Sequence, residues 1–258
     1  MMILCACLAR AGALTGREPG LIWYVPCDST GGVEIVSATT ATASQGTASA
    51  NAVAGAGSFL FGAANDRQTY GSVSLVNLSR SMTCSAWVFL TNTSVYAAVG
   101  GILMHNNGAV IYGGIDAASD NTMYSNWTLE GGGQFGDSFG AIPLNTWVHL
   151  LFSVDGNGSS GMYSSVLYIN GRIVKSSRYG SSANRLTQAV AWTVGNDAKA
   201  VSTRFFRGYI DECSIWNRAL SPQEVANLYR FGTPGDPASV NRVGQSNLMA
   251  MPPSRIRR

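Results

Sequence analysis

The residues able to do chemistry are few and scattered. Five glutamates occur, Glu18, Glu34, Glu130, Glu212 and Glu224. Retaining hydrolysis of a polysaccharide needs two carboxyls about 5–5.5 Å apart. On one strand that means Glu-x-Asp-x-Glu or a near relative, because alternate residues share a face. None of the five sits in such a pattern. Asp211 and Glu212 are adjacent and are expected on opposite faces, and Glu224 belongs to a helix cap. No Gly-x-Ser-x-Gly elbow or phosphate-cradling glycine loop is present, and His105 and His149 stand far apart. The expectation is a chain with no active site.

Five cysteines, Cys5, Cys7, Cys27, Cys84 and Cys213, form neither a Cys-x-x-Cys pair nor a cluster with histidine, which argues against zinc. Their odd number and irregular spacing do not make a disulfide framework.

The elements that must position these residues follow from composition. The 258 residues are 46% hydrophobic and only 12% charged, with 30 glycines. That excludes disorder, a coiled coil and a long solvated helix. No run reaches 18 uncharged apolar residues, so no membrane-spanning helix and no membrane partner are expected. The net charge of +3 equals the contribution of Arg255, Arg257 and Arg258 at the C-terminus, which argues against nucleic acid as a partner.

Strand-like runs dominate. They include 21–27, Ser58–Gly62, Gly71–Leu75, Met82–Leu90, Gly101–His105, Ala109–Gly114, Met123–Leu129, Thr146–Val154, Ser164–Ile169, Val190–Val194 and Phe206–Trp216. Asn170-Gly171 is the strongest hairpin signal, since both residues tolerate positive φ. Gly31–Gly57 is compatible with a long loop or with weak edge strands. One helix is signalled by the capping box Ser221-Pro222-Gln223-Glu224 and the stripe Val225, Leu228 and Tyr229, ending at Gly232. The expected organisation is an arm over 1–20, one domain over 21–233 and a second extended arm over 234–258. MMILCACLARAGALTG lacks a basic start and its apolar run breaks at Arg10, so it is expected to stay unprocessed.

The segment FRGYIDECSIWNRALSPQEVANLYRFG resembles the C-terminal signature of the laminin-G-like, concanavalin A-like jelly-roll superfamily. LIWYVPCD (21–28) is similar to its opening strand, SMTCSAWVFL (81–90) to its Trp-bearing strand, and NTWVHLLFSVDG with SSVLYINGRIV to its central hairpin. The resemblance covers about 20–233. It implies an all-β fold: a two-sheet antiparallel jelly-roll sandwich with one short C-terminal helix and extended terminal arms.

Fold alone does not assign function, and the residues sort as follows. A glycan site wants an aromatic ring flanked by amides or carboxylates. Tyr124, Asn126 and Trp127 near Asn121 form the first such group, and Trp192 with Asn196 and Asp197 the second. For Trp127, core packing and a sugar platform both remain open; Trp87, Trp147 and Trp216 fall on packing positions of the family. No cofactor is required. Calcium is the one ion the resemblance suggests, at loop carboxylates such as Asp28 and Asp211, with Asp116 and Asp120 as further oxygens; the competing reading has Asp211 capping a loop. Cys84 and Cys213 stand where the family holds aliphatic residues, and are either two buried thiols or a disulfide.

The functional expectation is a non-enzymatic structural or binding protein. In it a lectin-like domain sits on a larger assembly, a phage virion capsid decoration or tail put together in the host cytoplasm. Both arms would contact neighbouring subunits, and the domain would bind cell-surface glycans weakly. The alternatives are a free secreted lectin or adhesin module and, further off, a divergent glycoside hydrolase.

Overall fold

The computed structural model describes residues 14–28, 33–36, 38–41, 43–62, 66–70, 80–92, 100–105, 108–113, 121–129, 134–157, 161–181, 186, 192–195 and 206–231. In chain order the described residues form β1 (Leu21–Val25), β2 (Val33–Glu34), β3 (Thr39–Thr40), β4 (Ala43–Gln45), β5 (Thr47–Ser49), β6 (Ser58–Phe61), β7 (Arg67–Tyr70), β8 (Ser81–Leu90) and β9 (Gly100–His105). They continue through β10 (Gly108–Gly113), β11 (Thr122–Thr128), β12 (Gln134–Ala141), β13 (Trp147–Asp155), β14 (Met162–Ile169), β15 (Arg172–Ser181), β16 (Trp192–Val194), β17 (Gly208–Trp216) and α1 (Pro222–Phe231).

Two antiparallel sheets face each other. The first runs β15-β14-β13-β8-β17-β6-β5, with β1 added to β17; the second runs β12-β11-β10-β9-β16-β7-β4. This is the jelly-roll sandwich expected from the sequence.

Alternation explains the core. In β8, Met82, Cys84, Ala86, Val88 and Leu90 point inward, and in β13 Val148, Leu150, Phe152 and Val154 answer them from the neighbouring strand. In β17 the register slips between Asp211 and Ser214, and Glu212 takes φ 51°. One extra residue changes the parity, so Ile210 and then Cys213 and Ile215 all reach the core.

The outer face of the first sheet carries a second cluster, Leu21, Tyr24, Leu151, Tyr168 and Trp216, closed by Leu220, Val225 and Leu228 of the α1 region. α1 begins as expected. Ser221 N donates to Glu224 Oε2 (2.8 Å) and Glu224 N to Ser221 Oγ (3.3 Å), while Arg218 grips Glu224 through both nitrogens (3.0 and 2.7 Å). The β14–β15 turn has Asn170 at φ 51° and Gly171 at φ 73°, the two-residue hairpin its dipeptide signals.

Gly31–Gly57 resolves into the short strands β2 to β5. Among the expectations that fall outside the described residues are the strand Gly71–Leu75, the Gly232 stop, and both arms apart from residues 14–20. Among the described residues, no helix is long and apolar enough to cross a membrane.

Candidate functional site

Of the glycan candidates, Tyr124 and Asn126 are half-buried, whereas Trp127 and Trp192 are buried in the core. β11 alternates Met123, Ser125 and Trp127 inward with Tyr124 and Asn126 outward, the last two half-buried. Trp127 is 2% exposed and cannot present its ring to a sugar. It stacks on Phe135 (4.8 Å between centroids, 28°) and packs against Tyr163 (5.0 Å) and the edge of Tyr179 (5.4 Å). The reason is cross-strand: Trp127 lies opposite Phe135 in the β11–β12 ladder. Trp192 is likewise buried, against Trp23 at 6.2 Å, and its companions Asn196 and Asp197 lie outside the described residues.

Tyr124 and Asn126 instead line a groove of about 390 Å³ with Phe135, Gly136, Asp137 and Ser138 of β12 and Lys175 of β15. It lies where the edge strands β12 and β15 of the two sheets meet. Tyr124 faces Ser138 and Asn126 faces Gly136 across the ladder. Gly136 is required by the close approach of the strands, since a Cβ there would stand 2.3 Å from the Ser125 carbonyl oxygen.

Asp137 anchors the groove. Its side chain is only 7% exposed, yet Lys175 Nζ stands 2.8 Å from Oδ1. Ser165 Oγ (2.9 Å) and the Tyr179 hydroxyl both donate to Oδ2. Burial alone would raise the Asp137 pKa. The hydrogen bonds from Lys175, Tyr179, Ser177 and Ser165 outweigh it and hold the carboxyl below its ordinary range. Tyr179, half-buried and beside that charge, is pushed up to about 12. The groove therefore contains a matched pair of charges, the two aromatic rings of Tyr124 and Phe135, and one amide.

The metal expectation fares differently. Asp28 and Asp211 do come close enough to interact, one on each side of the turn at 51–57. But Asp211 Oδ2 accepts from Val53 N (2.9 Å) and Ala54 N (3.3 Å), its Oδ1 accepts from Glu212 N (2.9 Å), and Asp28 Oδ1 accepts from Ala56 N and Gly57 N. Burial, then the charge of Glu212, raises Asp211 well above its ordinary range. A hard cation wants about six to eight oxygens; these carboxylates face N–H groups, and the pair does not fit calcium. Asp116 and Asp120 lie outside the described residues, among which no three His, Cys, Asp or Glu side chains are placed to hold a metal. Asp211 and Glu212 also make no hydrolytic pair, since both are buried (0% and 4% exposed) and Glu212 accepts from the Tyr24 hydroxyl at 2.6 Å.

Cys84 and Cys213 are free buried thiols and not a disulfide. The register places Ile215, not Cys213, opposite Cys84. Of the packing tryptophans, Trp87 and Trp216 are buried, and Trp147 packs at 5.6 Å from Phe89 with its Nε1 donating to Asn51 Oδ1 (3.3 Å).

Sequence reasoning missed Phe135, Asp137 and Lys175. A signal existed only in Phe135 and Phe139, which are two apolar residues inside a glycine-rich run.

Comparison with known proteins places this arrangement. Residues 61–226 match the family described as the concanavalin A-like lectin/glucanases superfamily. No curated protein matches. Among solved structures, the receptor-binding domain of the botulinum neurotoxin C/D mosaic serotype has a TM-score of 0.61 at 14% identity, over 81% of this chain and 51% of that one. The botulinum neurotoxin serotype D ligand-binding domain in complex with N-acetylneuraminic acid scores 0.61 at 12% identity, over 81% and 50%. Domain 4 of AbnA, an extracellular GH43 arabinanase of Geobacillus stearothermophilus, in complex with arabinotriose, scores 0.53 at 19% identity, over 83% and 100%. The chain thus spans about half the length of the neurotoxin domains and has the lectin-like fold shared by receptor-binding and carbohydrate-binding domains.

Proposed function

The chain belongs to the concanavalin A-like lectin/glucanases superfamily, and we propose that it is a non-enzymatic binding module that takes uncharged glycans in the groove of Tyr124, Asn126, Asp137 and Lys175. The observation that carries this is the groove's chemistry. It holds a single carboxyl, Asp137, where glycoside hydrolysis needs two. That carboxyl is already neutralised by Lys175. Beside that pair the groove is lined by the Tyr124 ring and the Asn126 amide, which suit a sugar's apolar face and its hydroxyls. The arabinotriose and N-acetylneuraminic acid complexes of the fold relatives support a glycan as ligand. The internal ion pair favours the uncharged kind.

An oligosaccharide panel followed by calorimetric titration tests the reading. The expected result is binding of a neutral oligosaccharide with Kd of about 1 mM or somewhat tighter, weakened at least about tenfold by Tyr124→Ala, a change of roughly 1.4 kcal/mol. Binding untouched by Tyr124→Ala, or no binding across the panel, sinks it.

The setting proposed for the module is a larger assembly such as a virion capsid or tail, with the segments 1–20 and 234–258 reaching neighbouring subunits. The support is their sequence: neither has the apolar periodicity to fold by itself. The secreted module is the competing setting.

A further inference from the structure

Three thiols, Cys27, Cys84 and Cys213, stand in the core, each 0% exposed. β1 lies antiparallel on β17 with Val25 opposite Cys213. Two residues later Cys27 adopts φ 59°, in the left-handed region that a residue with a Cβ enters only where its surroundings hold it there. The consequence is a side chain folded back into the sandwich. Its Sγ sits 3.5 Å from the carbonyl oxygen of Val25, the residue opposite Cys213, and Cys27 and Cys213 share the inner face of the sandwich. Cys84 lies on β8, which pairs with β17 directly, where it stands opposite Ile215.

We propose that Cys27 and Cys213 are a latent disulfide pair that closes during folding and ties the first strand of the domain to its last. The oxidant is a small-molecule disulfide. One protein thiolate attacks it, forming a mixed disulfide and releasing one small thiolate. The second protein thiolate then attacks the mixed disulfide and releases the other. Two protein thiols are oxidised to one disulfide, one small disulfide is reduced to two thiols, and the two protons pass to the departing sulfurs. The exchange belongs to a stage at which β1 is not yet docked, because in the folded domain the pair is sealed from solvent. Burial, then Cys213, Asp211 and Glu212, pushes the Cys27 thiol well above its ordinary range there, which disfavours the thiolate.

The test refolds the full chain in a glutathione redox buffer and, in parallel, with a phosphine reductant, then alkylates under denaturing conditions and maps the peptides. The oxidised sample should yield a Cys27–Cys213 linked peptide with Cys84 alkylated, and a thermal midpoint several degrees above the reduced sample. Cys84→Ala should keep the link and the shift; Cys27→Ala should lose both. Alkylation of both Cys27 and Cys213 in the oxidised wild type overturns the assignment, as does a link from either of them to Cys84, Cys5 or Cys7.

Discussion

Two buried ionisable groups show how differently this sandwich treats its two exits to solvent. Under α1, on the outer face of the first sheet, His149 is 1% exposed, with Nε2 2.9 Å from Ser85 Oγ and no hydrogen-bond partner at Nδ1. Its other neighbours are rings, Trp87 at 5.1 Å and Tyr229 at 6.2 Å. Burial alone drives its pKa down to about 3, so it is neutral at neutral pH. At the edge groove, the Asp137 side chain is 7% exposed, and it keeps its charge because a cation and several hydroxyls surround it. Desolvation without partners removes a charge; desolvation with partners fixes one in place. Only the second arrangement offers a ligand an organised polar surface.

The largest effect that could break this contrast is acid unfolding. The folded pKa of His149, about 3, lies below the unfolded value of about 6.5. The unfolded chain therefore binds the extra proton as pH falls. The stability His149 contributes is complete above about pH 6.5 and is lost progressively toward pH 3, on the order of 4–5 kcal/mol at 1.36 kcal/mol per unit. Asp211 works with the opposite sign, since its raised pKa gives stability at low pH that fades as pH rises through the folded value. Urea midpoints measured from pH 7 to pH 4 should fall steeply for the wild type and less for His149→Gln. Equal slopes would show that His149 is not the buried neutral group described.

The intermediate effect is at the groove. Asp137→Asn keeps the shape but leaves Lys175 without its counter-charge and weakens the acceptor for Ser165 and Tyr179. A loss of about 2 kcal/mol is expected, typical for charged hydrogen bonds in a mostly buried place. Glycan affinity should fall with it, because Gly136 and Ser138 belong to the same strand. A stability change under about 0.5 kcal/mol would place Asp137 among ordinary surface carboxylates.

How much of this was legible in the sequence depends on range. The β8 and β13 alternation, the Asn170-Gly171 turn and the Ser221–Glu224 cap are written in adjacent residues, and each folds as read. β12 is not legible. Gln134–Ala141 carries Gly136 and Gly140, and glycine argues against a strand until its neighbour's backbone is known to come within 2.3 Å of the missing Cβ. Trp127 stayed open between core and site because the deciding residue, Phe135, lies across that unread strand. The Asp137–Lys175 pair joins two sheets through residues 38 positions apart (175 minus 137), and no local pattern announces such a meeting. The family resemblance suggests a cation at Asp28 and Asp211. The hydrogen bonds from Val53 N and Ala54 N agree instead with the alternative in which Asp211 caps a loop, because carboxylates attract N–H groups for the same electrostatic reason.

The smallest expected effect separates the two halves of the groove's own ion pair. Lys175 is 46% exposed on its side chain while Asp137 is 7% exposed. A pair with one partner in water gains little in net stability, about 0.2–1 kcal/mol, and that gain is screened by salt. Lys175→Ala should therefore cost well under 1 kcal/mol, less in 1 M salt than in dilute buffer. The same variant leaves the Asp137 charge held only by hydroxyls, so the carboxyl should titrate higher than in the wild type, which carbon-detected NMR of the side chain can follow. If Lys175→Ala costs as much as Asp137→Asn, the cation and not the hydroxyl cluster sets the geometry. The groove would then present a free positive charge to acidic sugars whenever Asp137 is protonated. If it costs little and Asp137 still titrates below its ordinary range, the hydroxyls of Ser165 and Tyr179 organise the site. Lys175 is then the part of the groove that a ligand can move at least expense.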